Sequence, residues 1–400
     1  MDVRLSPEQL QLRNSVVQVA DRLGPATVGQ LDDHERAEKL EAAVARSGWR
    51  ELRTPDDGGG PLASAVEVAI VAEQLARGRC DVAFVGPTLA ADLRRLAGAP
   101  DATTPETVAL LPDLSAPATE VDTSVAVDAF GGATALVLVR CATDPSSADP
   151  SSADPSTACS PTRVWDLQTV AVPGRGSGVD LTRPTAPLST LSPTALRGQS
   201  KPITEEGLTR WTALGLVIAC ADLVGTMQGA IDLTVGYAKQ RRQFGKAIGS
   251  FQAVQHLLAD AVVHLEGSRS ATLYAAWGVD ELEPVCALRH AAAAKAYAAR
   301  GAQIVCETAI QVHGGIGNTW DCLAHLYLRR ALLSTALLGG IGVSLNRVLA
   351  HADLFPEVDG IDPKKVGSSS QKYRIFPEKH GICPDKPEIF AESADSDGLR

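Results

Sequence analysis

The chain has 400 residues, 45 % of them hydrophobic, so it can bury a substantial core and is long enough for two or three domains. Acidic residues outnumber Lys and Arg by 47 to 37, and the formal charge of -10 argues against a nucleic-acid binder that neutralises phosphates along an extended basic face. Aromatics are only 4 %, which suits helices packed through small and aliphatic side chains and points to a mostly helical protein.

The first helix is announced by Ser6-Pro7-Glu8-Gln9: an N-cap hydroxyl, a proline at the first helical position and a glutamine three residues after the cap. Leu5 and Leu10 stand at the staple positions, and Leu12, Val16, Val19 and Leu23 recur at helical spacing. A second helix is predicted over 35–46, closed by Ser47-Gly48. Residues 51–60 read as a loop and 63–77 as a further helix, giving an N-terminal helical domain over 1–100. Residues 101–200 turn to Thr, Ser, Pro and short β-branched runs, predicting a small β domain. Within it, 124–130 and 133–140 flank Gly131-Gly132 and read as a hairpin, and 164–172 reads as another strand. A five-residue repeat of turn formers at 144–156 cannot bury apolar surface and reads as a surface loop. Helical periodicity returns over 201–354, through 208–239, 251–278, 282–313 and 322–337, which predicts a four-helix bundle. The tail, 355–400, lacks periodicity and reads as extended or disordered.

The eight cysteines include no CxxC pair and no Cys/His cluster at ligand spacing, so neither a disulfide framework nor a metal site is expected. The first residues lack the apolar stretch of a signal peptide, and the apolar runs look too short for a membrane span. The expectation is a cytoplasmic protein.

Two C-terminal segments carry a resemblance. The first is Tyr237-Ala-Lys-Gln-Arg-Arg-Gln-Phe-Gly-Lys-Ala-Ile-Gly-Ser-Phe-Gln252, followed by Val254-Gln-His-Leu-Leu-Ala-Asp260; the second is Gln311-Val-His-Gly-Gly-Ile-Gly317. Together they resemble the acyl-CoA dehydrogenase family, with its R-x-x-F-G turn, F-Q-x-x-Q-x-x-L-A-D helix and Q-x-x-G-G-x-G turn. Trp49–Leu52, Pro55–Gly60 and Glu73–Gly78 match its N-terminal pattern. The resemblance implies a mainly α fold with a small central β domain: an N-terminal helical domain, a β-barrel-like middle domain and a C-terminal four-helix bundle. It implies FAD as cofactor, an acyl-CoA substrate, and electron-transfer flavoprotein or another acceptor as electron partner. By position, Arg241, Gln243, Phe244, Gln252, Gln311, Gly314 and Gly315 correspond to contacts with the FAD of a neighbouring subunit. On their own residues, Arg241 and Arg242 also read as a solvated helix end, His313 as a packed histidine, and Leu326–Arg330 as a helix with a basic face.

Two departures accompany the resemblance. Family chemistry removes the α-proton with a carboxylate, and the two positions at which members carry it fall here on Leu338 and Gly215. Glu206 is the nearest weak candidate for a displaced base. The flavin-cradling T/S-E-P-x-x-G-S-D-like loop is also missing, with 113–122 in its place. This pattern resembles the degenerate partner in heteromeric actinobacterial dehydrogenases that act on steroid CoA thioesters, so the expected partner is a sister acyl-CoA dehydrogenase subunit. A stand-alone enzyme using Glu206 and a non-enzymatic scaffold are the alternatives.

Overall fold

Ser6 does cap the first helix. Its hydroxyl accepts from the Gln9 amide while the Gln9 side chain accepts from the Ser6 amide, and α1 runs Pro7–Leu23. Asp33 caps α2, His34–Ser47, and Ser64 caps α3, Ala65–Arg77. A fourth helix, α4, Val85–Ala97, has no side-chain cap of its own. The carboxylate of Asp128, from the β region, instead accepts from the Phe84 and Gly86 amides at its start. The computed structural model describes residues 4–121, 123–140, 164–188, 194–196 and 200–350; the repeat at 144–156 and the tail 355–400 lie outside the described residues.

The central sheet is mixed, and its connectivity corrects the predicted hairpin. Strand β1, Glu106–Leu110, is buried along its whole length and lies between β2, Val125–Ala126, which is antiparallel to it, and β3, Thr134–Arg140, which is parallel. The two segments flanking Gly131-Gly132 therefore pair with opposite edges of β1 and not with each other. Asp128 is the cause: its left-handed backbone (φ 50°) turns the chain away from a hairpin path, and the Ala129 amide bonds the Pro184 carbonyl. Strand β4, Val164–Ala171, pairs antiparallel with β3; β5, Ala186–Pro187, extends the β2 edge; β6, Thr194–Ala195, and β7, Ile203–Thr204, both pair with β4.

Helix α5, Glu205–Gln240, is capped by Thr204 and forms the centre of the molecule, in contact with α3, α6 (Gln252–Glu281), α7 (Pro284–His313) and α8 (Ala324–Ala336). A short α9, Ile341–Ala350, packs on α7. The fourth predicted helix, 322–337, is α8, whereas α9, which follows the turn at 337–340, was not expected from the sequence. The expectation that apolar runs fall short of a membrane span fails for α5: it is 36 residues long with a most apolar window of mean hydropathy 1.6. That window is 94 % buried against other elements of the protein, because a central helix must be apolar on every face.

Arg330 corrects the reading of 326–330 as a simple basic face. It is buried, donates through Nε and Nη2 to Asp222 on α5 (3.1 and 2.7 Å) and through Nη1 to Thr182 Oγ1 and the Cys80 carbonyl. Arg183 pairs with Asp180 (2.9 Å) and Asp222 (3.3 Å) and donates to Ser334. One buried ionic cluster therefore ties α8, α5, the sheet region and the α3–α4 connection together. The five described cysteines are free thiols, four buried and Cys286 half-buried.

Candidate cofactor end and base positions

The two C-terminal motifs meet at one end of the bundle. Helix α5 stops at Arg241, whose amide still bonds the Tyr237 carbonyl while its backbone turns extended. A minimal hairpin follows: β8, Arg242–Gln243, pairs with β9, Lys246–Ala247, around Phe244-Gly245, both at positive φ (50° and 78°). This is the geometry of a type I′ turn, which usually takes Asn-Gly, so a phenylalanine there carries backbone strain. Its ring is 90 % exposed, edge-on to Phe251 at 6.2 Å, and Lys246 Nζ lies 4.4 Å from the Phe251 ring.

Tyr237, one turn before Arg241, is the joint that sequence reasoning missed. Its ring stacks on His313 at 4.4 Å and 23°, which sets the end of α5 against the end of α7. His313 itself is buried, with Nδ1 2.7 Å from the Ala309 carbonyl, so it is a packed histidine. The next residue, Gly314 (φ 66°, ψ −143°), holds a backbone that only glycine adopts readily, and its amide closes α7 onto the Gln311 and Ile310 carbonyls. A Cβ on Gly314 or Gly315 would meet nothing within 4 Å, so this turn lies open. Arg241, Gln243, Gln252, Gln311, Gly314 and Gly315 are all exposed, and no hydrogen bond or ion pair engages the Arg241 guanidinium among the described residues.

The two base positions converge. Gly215 lies in the interior of α5, 123 residues before Leu338, yet a Cβ on Gly215 would collide with Leu338 Cδ1 and stand 3.4 Å from Leu89 Cδ2 on α4. Leu338 is 1 % exposed and has a left-handed backbone (φ 54°), a conformation that costs a non-glycine residue about 1–3 kcal/mol. The place is thus filled by hydrocarbon. Glu206 does not join it: it is exposed in the first turn of α5, nine residues or roughly 13 Å along the helix axis from Gly215.

Beneath this turn sits Lys295 of α7, fully buried, whose Nζ donates to the carbonyls of Thr335 (3.1 Å), Leu337 (2.8 Å) and Gly339 (3.3 Å). Burial pushes its ammonium down to about 8, against the favourable neighbourhood of Cys220 and with the charge of Arg347 adding to the fall. Arg347 of α9 donates to the Leu338 carbonyl. In the missing cradle, 111–118 form a tight turn: the Leu111 amide bonds the Ala116 carbonyl, and Asp113 accepts from the Ser115 amide and hydroxyl. An open groove of about 1180 Å³ lies elsewhere, between α2, α4 and the start of β1, bordered by the Arg50–Glu41 and Arg94–Glu106 pairs. Among the described residues no group of three or more metal-ligating side chains is gathered.

Comparison with known proteins gives a consistent family. The model for the N-terminal domain of acyl-CoA dehydrogenases matches residues 6–97 and that for the C-terminal domain matches 215–352. Acyl-CoA dehydrogenase IpdE2 of Mycobacterium tuberculosis is 30 % identical over 346 residues, 83 % of this chain and 93 % of that protein. Acyl-CoA dehydrogenase FadE34 of the same organism is 35 % identical over 179 residues, 42 % of this chain but 25 % of that protein; several curated relatives are thus spanned over less than half their length. Among solved structures, the steroid ACAD Tcur3481-Tcur3483 superposes with TM-score 0.67 at 22 % identity, over 86 % of this chain and 97 % of that one. The ChsE4-ChsE5 complex from Mycobacterium tuberculosis superposes with TM-score 0.63 at 20 % identity, over 89 % and 100 %. At these identities the superpositions speak for the fold.

Proposed function

The chain belongs to the acyl-CoA dehydrogenase family, whose members are oxidoreductases, and from that premise we propose that it serves as the base-less subunit of a heteromeric, FAD-dependent acyl-CoA dehydrogenase. One observation carries the reading: both positions at which the family places its carboxylate are here a glycine and a leucine packed on each other in a buried apolar contact. A positioned base contributes on the order of 10²–10⁴ in rate, so a homo-oligomer of this chain would be a poor dehydrogenase. The base must come from a sister acyl-CoA dehydrogenase subunit.

The exposed end of the bundle fits a share in a dinucleotide site. Arg241 offers unengaged guanidinium donors to a pyrophosphate, the amide side chains of Gln243, Gln252 and Gln311 can bond ribose or adenine edges, and the bare Gly314-Gly315 turn lets a phosphate or ribose approach the backbone. The tight 111–118 turn offers no such fit to a flavin ring, so this chain supplies the outer contacts of an FAD whose ring the partner holds. When bound, FAD accepts the hydride that leaves the β-carbon of the acyl-CoA. Phe244, bare at the hairpin tip, excludes water at the joint between subunits. On this reading the substrate is a CoA thioester with a steroid-derived acyl group, electrons leave to electron-transfer flavoprotein or another acceptor, and the assembly works in the cytoplasm.

The test is co-expression with the sister chain encoded nearby. The complex should be yellow and convert acyl-CoA to enoyl-CoA, and Arg241→Ala should lower its flavin content at least tenfold. Unchanged flavin would leave the chain a scaffold; one flavin per chain in the protein purified alone would refute the partner reading.

A further inference from the structure

We propose that Leu338 is a latched plug that closes this chain's own acyl cavity, with Gly215 as its seat and Lys295 and Arg347 as its latches, so that the acyl group is taken by the partner subunit alone. The inference rests on the reading above and deepens it by assigning the residues that exclude substrate.

Three independent features converge on the plug. The seat is shaped for it: the only side-chain-free position of α5 facing the turn is Gly215, where a Cβ would displace Leu338 Cδ1, and Leu89 of α4 closes the next side. The backbone is forced: Leu338 takes a left-handed conformation that an L-residue avoids unless its surroundings over-determine it. Those surroundings are present. Lys295 holds the carbonyls of Thr335, Leu337 and Gly339, Arg347 holds that of Leu338, and the Leu337 and Gly339 amides bond Leu333 and Ala336. Relaxing Leu338 to an ordinary conformation would rotate these carbonyls off buried Lys295 and half-buried Arg347, neither of which has a carboxylate partner within ion-pair distance among the described residues.

Arg347 adds a second closure. Its other terminal nitrogen donates to the Ser115 carbonyl at 3.4 Å, so one guanidinium joins the plug turn to the tight 113–115 turn in the segment that replaces the expected flavin-cradling loop. The plug turn and the 113–115 turn are thus held together by one side chain. The plugged space is apolar, and truncating a buried leucine in such surroundings leaves a dry void that accepts a small hydrocarbon.

The experiment is a double-mutant cycle on the purified full chain, with benzene as probe. Gly215→Ala ordinarily strengthens a helix interior; here it should lower Tm by several degrees, and in the Leu338→Ala background that penalty should vanish or reverse. Wild type should show no benzene-dependent rise in Tm, whereas Leu338→Ala should, with Leu338→Val as the milder variant if alanine prevents folding. Lys295→Met should become benzene-responsive although Leu338 is intact, which a merely structural lysine would not produce. Equal Gly215→Ala penalties in both backgrounds, a benzene response in wild type, or a Tm loss in Lys295→Met without one would overturn the proposal. These readouts come from this chain alone and the flavin ratio from the complex, so either reading can fail without the other.

Discussion

Replacing Asp222 by asparagine keeps the side chain's volume and removes one charge from the buried cluster. In the native protein two carboxylates, Asp180 and Asp222, face two guanidiniums, Arg183 and Arg330, and all four side chains are 4 % exposed or less. Asp222 alone accepts from Arg330 at 2.7 and 3.1 Å and from Ser334 Oγ at 2.6 Å, and pairs with Arg183 at 3.3 Å. The substituted asparagine would turn its amide hydrogens toward donors and leave the cluster one positive charge in excess, which costs about 3–5 kcal/mol when the remaining charge cannot reach water. That is a large share of the roughly 5–15 kcal/mol that holds a domain folded. Urea unfolding of wild type and Asp222→Asn at neutral pH measures it. The loss should barely change when salt is raised, since buried pairs are poorly screened. The pH dependence has a definite sign. Burial pushes the Asp222 carboxyl up, but the charges of Arg183 and Arg330 and the bonds from Arg330 and Ser334 outweigh it and hold the group below its usual range. The stabilisation is therefore present above the ordinary carboxylate range and is lost as pH falls through the lowered value, so the difference between the two proteins should shrink on acidification. A loss below about 1 kcal/mol, as for a surface pair, would refute the cluster's role as the joint between layers.

Lys295, held down to about 8, is neutral in the folded state and charged in the unfolded state between that value and the ordinary lysine range. Stability should therefore rise with pH across that window, and Lys295→Met should abolish the rise in urea midpoints measured across it. Phe244→Asn puts a residue that tolerates positive φ into the type I′ turn and should stabilise the isolated chain by up to about 1 kcal/mol in thermal unfolding. If Phe244 seals the joint with a sister subunit, the same variant should weaken complex formation at least tenfold by sedimentation; unaltered affinity would remove Phe244 from that interface.

Much of the local structure was legible from local signals. The capping box at Ser6, the helix ends at Ser47 and His313, and strand β4 follow from side-chain hydrogen bonding, glycine conformations and short-range periodicity within a few residues. The same holds for the R-x-x-F-G and Q-x-x-G-G-x-G segments. Helix α4 escaped notice because its start is capped by Asp128, some forty residues later, and not by a neighbouring Ser or Asp. The predicted hairpin failed for a related reason: Gly131-Gly132 signals a turn but not which edge each flanking strand will find, and β1 took both. Arg330 looked like surface because it follows Arg329 in an apparent basic pair, and only Asp222 on another helix draws it inside.

By itself the sequence determined that this chain is a mostly helical member of a recognisable family with no carboxylate at either expected base position, since motif spacing and residue identity are carried along the chain. What it could not state is that Gly215 and Leu338 are one place. That convergence, the stacking of Tyr237 on His313, and the two cations that hold a leucine in a left-handed turn were decided by tertiary structure. They depend on which helix faces cross, and packing between elements far apart in sequence leaves no periodic trace in either segment alone.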